Sequence, residues 1–140
     1  MTELAGGLTC LWLGMVLAIS FLEAPLKFRA PGVTVPIGLG IGRLVFRALN
    51  RAEVVLAVLV AAGIAVSPVR WPVYLAGGAA AVVLLAQLVA VRPPLNRRSD
   101  RVLAGETVPR SRAHLAYIVL EAVKVLALVA MAALLLTPAG

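Results

Sequence analysis

The stretch "AHLAYIVLEAVKVLALVAMAALLL", residues 113–136, decides how this chain folds. A helix that crosses a bilayer needs about 20 apolar residues at 1.5 Å rise each, and this run exceeds that length. Yet every third or fourth position along one line is polar: His114, Tyr117, Glu121 and Lys124. Residues three and four apart share one face of a helix. Lys124 lies eleven residues beyond Ala113, about 16 Å deep in a hydrocarbon core roughly 30 Å thick. A lysine at that depth cannot snorkel to the interface. It requires a carboxylate partner, a water-filled cavity or the loss of its charge.

Three further runs fit the same reading. Residues 4–24 form the first and residues 73–91 the third. The second is short over 54–66 and reaches spanning length if its helix starts upstream in "GLGIGRLVFRALNRAE", giving 40–66. The prolines fall between or beside these runs, where a residue without an N–H does least harm. Composition agrees: 62% of residues are hydrophobic, 14% are charged and the mean hydropathy is +1.04, against roughly 45–50% and about 25% for soluble domains. The predicted fold class is all-α, an integral membrane antiparallel four-helix bundle forming one domain over 1–140.

The charge pattern sets an orientation. The links 25–53 and 92–112 hold Lys27, Arg29, Arg43, Arg47, Arg51, Arg92, Arg97, Arg98, Arg101, Arg110 and Arg112, eleven of the 13 basic residues. The remaining link, "SPVRWP", has only Arg70. The positive-inside rule then predicts a multi-pass protein of the cytoplasmic membrane, with both links inside and both termini outside. Only Glu3 precedes the first apolar run, so a cleaved signal peptide is not expected. The net charge of +7 is explained by this asymmetry and gives no reason to invoke nucleic acid.

Arg43, Arg47 and Arg51 recur every four residues and share a helix face. With Arg97, Arg98 and Arg101 in a link able to hold a surface helix, they predict contact with anionic lipid headgroups. The other reading makes the first three the wall of a vestibule for an anion. Gly38 and Gly42, at GxxxG spacing, and Ala76, Gly77, Gly78 and Ala80 allow helix backbones to approach closely. That suits a compact bundle, and also a homo-oligomer or a larger membrane complex.

Ionisable groups inside the hydrocarbon cost about 2.5–3.5 kcal/mol each on insertion scales, so each one is informative. Besides the line in the fourth helix there are Glu23 near the end of the first, Glu53 near the start of the second and Gln87 on the third. All lie between the membrane midplane and the basic side. Two readings follow. In one, Glu121 neutralises Lys124, Glu23 and Glu53 pair with basic residues of the links, and the network only fixes helix packing, as in a structural or assembly subunit. In the other, His114, Tyr117, Glu121, Lys124, Glu53, Glu23 and Gln87 line a site that binds or conducts a proton, an ion or a small amphiphile.

Other chemistries find no pattern. One histidine and one cysteine, Cys10, give neither a disulfide nor a zinc site of recognised spacing. HExxH, nucleophile-elbow, Walker and dinucleotide motifs are absent, so the residues point away from an enzyme. No cofactor is predicted. Haem would require His114 with an axial partner such as Met15, or a second chain.

Three stretches resemble a family of small four-helix membrane proteins of unknown function, the one that includes transmembrane protein 205. "LWLGMVLAISFLEAPLKF" is similar to that family's first helix and its Ala-Pro-x-x-Phe close (Ala24, Pro25, Phe28). "GRLVFRALNRAEVVLAVLV" resembles its entry to the second helix (Gly42, Arg43, Leu44, Phe46), and "RSRAHLAYIVLEAVK" its opening of the fourth (Arg112, His114). Tyr117 and Glu121 depart from the small or amide side chains of that family, and Lys124 adds a charge. The resemblance implies a four-helix membrane fold. Through the family's loose links to metal and drug tolerance, and to copper-resistance and porphyrin-oxidising membrane proteins, it implies metal or tetrapyrrole handling as a further alternative.

Overall fold

The four apolar runs form helices that continue past them. In a computed structural model that describes residues 1–107 and 112–138, α1 spans Thr2–Arg29, α2 Val35–Ala65, α3 Trp71–Leu103 and α4 Arg112–Leu136, each long and apolar enough to cross a membrane. Pro109 and Arg110, assigned above to the link before the fourth helix, lie outside the described residues. Among the described residues there is no strand. The protein is an all-α, multi-pass membrane protein built as a four-helix bundle.

Close contacts fix the antiparallel arrangement. Gly6 lies against Leu136, and Gly63 lies 3.3 Å, measured from an added Cβ, from Ala5. The start of α1 therefore meets the ends of α2 and α4. Arg70, just before α3, donates to the Leu134 carbonyl at that same end (3.3 Å). α4 packs along both α1 and α3, and α1 along α2. α2 reaches α3 mainly through the latter's basic end, so the ring of helices closes there.

Local chemistry explains why the helices overrun the predicted boundaries. α2 starts at Val35 rather than 40 because Thr34 caps it, accepting the Ile37 N–H at 3.4 Å, with Pro36 in the first turn, where a missing N–H has no consequence. α3 does not stop at 91. Its segment Gln87–Val91 is π-helical, and the Arg92 N–H reaches back five residues to the Gln87 carbonyl. That wide turn accommodates the rings of Pro93 and Pro94, and an α-helical segment Arg92–Leu103 follows. Gly105, at φ +93°, ends it. The Glu106 N–H bonds to the Arg101 carbonyl (3.1 Å) and the Gly105 N–H to that of Val102 (3.0 Å), a Schellman close that needs a left-handed residue. α1 likewise passes through a π-helical segment, Leu17–Glu23, and ends in a turn Ala24–Leu26 and a 3-10 turn Lys27–Arg29. Most of the predicted basic links are thus helical. α1, α2 and α3, about 42–50 Å long at 1.5 Å per residue, outreach the hydrocarbon at the basic end.

Burial is inverted relative to a soluble protein. Leu75, Leu85 and Leu126 are 63%, 61% and 70% exposed, while Lys124 and Glu53 are fully buried. Such an apolar exterior is stable only against lipid. The apolar core, including Trp12, Val60, Leu84, Leu128 and Met131, occupies the half away from the basic end. Gly38 and Gly42 do not form the backbone seam that their spacing suggested. A Cβ on Gly38 would overlap the Phe28 ring, and one on Gly42 would fall 3.0 Å from Lys27 Nζ. They are sockets for side chains from the end of α1.

Candidate functional site

Lys124 is the middle residue of α4, and its ammonium is met from the other helices. Its Nζ lies 2.5 Å from Glu53 Oε1 of α2 and 2.5 Å from Glu121 Oε1 of α4 itself. It donates to Gln87 Oε1 of α3 at 2.9 Å. Three N–H donors find three acceptors, so the cation is fully satisfied. The acceptors are held in turn. Trp12 Nε1 of α1 donates to Glu53 Oε1 (3.0 Å), Gln87 Nε2 to Glu121 Oε1 (3.2 Å), and Ser20 Oγ to Glu121 Oε2 (2.5 Å). All four helices enter one hydrogen-bonded cluster, buried near mid-helix.

Both π-helical segments touch it: Ser20 lies within the one in α1, and Gln87 begins the one in α3. π-turns shift the register of one helix half against the other and are frequent at functional sites. Here they aim Ser20 and Gln87 at Glu121 while leaving the rest of each helix on its packing face. Glu53 Oε2 and Asn50 Oδ1, one turn apart on α2, are buried without a hydrogen-bond partner.

Toward the basic end a cavity of about 450 Å³ begins at Ser20, Tyr117 and Glu121 and runs between α1, α2, α3 and α4. Its walls are largely apolar, among them Phe21, Leu39, Phe46 and Leu95. Phe21 and Ile118, which also line it, are 44% and 45% exposed, so the wall between α1 and α4 borders lipid. Among the described residues four cations, Lys27, Arg43, Arg92 and Arg98, line it against the single carboxylate of Glu121. Lys27 pairs with Glu23 at 3.7 Å and Arg43 with Asp100. Arg92 differs. Its guanidinium sits 5.1 Å from the Phe46 ring centre and 4.6 Å from that of Tyr117, rings that meet edge to face at 5.7 Å. Its Nε and Nη2 are buried with no hydrogen-bond partner. A smaller cleft of about 210 Å³ adjoins on the α2 side, lined by Arg43, Arg47, Asn50, Arg51, Arg92 and others.

The structure brings four of the predicted residues, Glu53, Gln87, Glu121 and Lys124, into one cluster. Tyr117 is buried at the cavity's inner end, its hydroxyl without a hydrogen-bond partner. His114 lines the cavity about one turn nearer the basic end. Glu23 stands apart: it pairs with Lys27 and touches neither cluster nor cavity. In a stretch with i→i+5 bonding, a residue three beyond Ser20 swings farther from the face Ser20 occupies. Of the predicted headgroup contacts, Arg43, Arg47 and Arg51 line the smaller cleft and Arg98 the larger, Arg97 is exposed, and Arg101 pairs with Glu106 at 3.5 Å. Arg92, Ser20, Trp12 and Lys27 were not singled out as site residues. Only Arg92 had a signal in sequence, an arginine on the boundary between an apolar run and two prolines.

Among the described residues no group of three His, Cys, Asp or Glu is placed to hold a metal ion. Met15 and His114 do not suit a shared haem. With Ser20 opposite Glu121, they lie five residues to one side and seven to the other along antiparallel helices, about 18 Å apart at 1.5 Å per residue. Compared with protein-family models, with curated proteins and with solved structures, the chain gives no match.

Proposed function

We propose that this is a non-enzymatic binding protein of the membrane, holding a small amphiphile in the cavity at its basic end. The observation that carries this reading is the cavity itself. Its volume of about 450 Å³ falls in the range of small-molecule sites, roughly 300–1,000 Å³, and like them it combines apolar walls with a few convergent polar groups. One wall borders lipid at Phe21 and Ile118, and the opposite end is cationic. A molecule with a tail and a polar head matches that layout better than a bare ion. The Lys124 cluster acts as a brace below the cavity, since its cation has no donor left to offer a ligand. The excess of basic residues at the cavity end supports placing that end in the cytoplasm, the termini outside and the chain in the inner membrane, with Arg97 and Arg101 toward anionic headgroups.

The reading predicts that filling the cavity abolishes ligand response without unfolding the bundle. Purified protein in a non-ionic detergent should gain thermal stability from single-chain dodecyl amphiphiles. Leu39→Trp, which fills the cavity, should lose that gain, while Leu85→Trp, on the lipid face, should keep it. Equal stabilisation of both variants would contradict the reading.

A structural subunit is the second reading, favoured by the completeness of the Lys124 cluster. Under it the cavity variants behave like the parent.

A further inference from the structure

We infer that Arg92 is the seat for an oxyanion, so that the cavity takes amphiphiles with a carboxylate or phosphate head. This rests on the reading of the cavity as a ligand site and adds the class of head group.

A buried guanidinium ordinarily satisfies its donors, because an unpaired buried donor costs about 1–3 kcal/mol and more when charged. Elsewhere in the cavity wall Lys27 is paired with Glu23 and Arg43 with Asp100. Arg92 leaves Nε and Nη2 empty. These two nitrogens lie on one edge of the guanidinium plane, and their parallel N–H bonds form the fork that a carboxylate or phosphate accepts with two oxygens.

The rest of the side chain is already held. The rings of Phe46 and Tyr117 take the cation by cation–π contact at 5.1 and 4.6 Å. That attraction acts on the cation's charge and leaves in-plane donors unsatisfied. The guanidinium is therefore oriented before any anion arrives, which lowers the ordering cost of binding.

Charge favours the same ligand. Lys27, Arg43, Arg92 and Arg98 surround the cavity, and among the described residues Glu121 is its only carboxylate lining. Glu121 has both oxygens engaged, by Lys124 and Gln87 on one and Ser20 on the other. Arg92 also lines the adjoining cleft beside Arg47 and Arg51, so an anion there meets further positive potential. The tail has a route past Phe21 and Ile118 on the lipid-facing wall.

The test uses the full chain in non-ionic detergent and four probes: dodecyl phosphate, dodecanoate above its pKa, dodecanol and inorganic phosphate. The three amphiphiles share a tail, so differences among them report the head. The parent should bind both anionic amphiphiles about tenfold or more tighter than dodecanol, the scale of a lost charged hydrogen bond. Arg92→Gln should bring dodecyl phosphate down to the level of dodecanol, leaving dodecanol unchanged. Arg92→Lys keeps the charge without the fork and should lose most of the preference. If Arg92→Gln does not fold, Arg92→Lys carries the test, and an unchanged preference in it overturns the seat. Equal binding of dodecanol and dodecyl phosphate by the parent also overturns the seat, while leaving the cavity reading intact. Failure of all three amphiphiles to bind overturns the cavity reading itself. Arg92-dependent binding of inorganic phosphate as tight as that of dodecyl phosphate overturns the amphiphile and leaves a free oxyanion as ligand.

Discussion

Lys124 holds two carboxylates and an amide oxygen, and both carboxylates are held in turn by groups from other helices. Removing one member of such a buried set leaves charges unpaired, typically at a cost of about 3–5 kcal/mol. Lys124→Met should destabilise the bundle by that order in detergent unfolding, because Glu53 and Glu121 then face each other without a cation. Replacing Glu121 and Lys124 alone is a poor control, since Glu53 also depends on Lys124. The triple change Glu53→Leu, Glu121→Leu and Lys124→Leu should cost less than Lys124→Met, as no buried charge remains. A triple variant less stable than Lys124→Met would mean that the cluster contributes net stability. The charged members were legible in sequence because hydrocarbon makes each ion costly, so none stands there without a reason. Ser20, Trp12 and Arg92 were not. A serine and a tryptophan in an apolar run, or an arginine at its edge, carry no such cost, and their partners lie far away in sequence.

Individual helices show a similar division. Their existence followed from the apolar runs, but their ends depended on caps and turns that hydropathy does not register. Pro93 and Pro94 suggested a stop, and the π-turn before them let the helix continue. The Gly38 and Gly42 pair read as a seam between helices, yet the structure puts the Phe28 ring and the Lys27 ammonium there. Gly38→Ala should therefore displace Phe28, destabilise the bundle and weaken amphiphile binding. In a Phe28→Ala background the same change should be nearly silent in stability. A coupling of about 0.5–3 kcal/mol between the two substitutions, the range for residues in contact, is the expected double-mutant result. Additive effects would show that Gly38 serves some other neighbour.

At the level of the whole molecule, an all-α membrane bundle was written in composition and periodicity, while the order of helices around the bundle was not. α4 packs between α1 and α3, and α2 closes on α3 chiefly at the basic end. That ordering gathers Ser20, Arg92 and Tyr117 around one cavity. The proposed orientation has its own check. A periplasm-dependent phosphatase fused after the last residue should be active and a cytoplasm-dependent fluorescent reporter dark, and the reverse pattern would invert the assigned topology. The cavity as a ligand site is tested most directly by native mass spectrometry of the protein extracted from its own membrane with no ligand added. The parent should retain one anionic amphiphile per chain at activation energies that strip bulk lipid and detergent, and Leu39→Trp should emerge without it. The same adducts on both proteins, or none on the parent, would contradict the account.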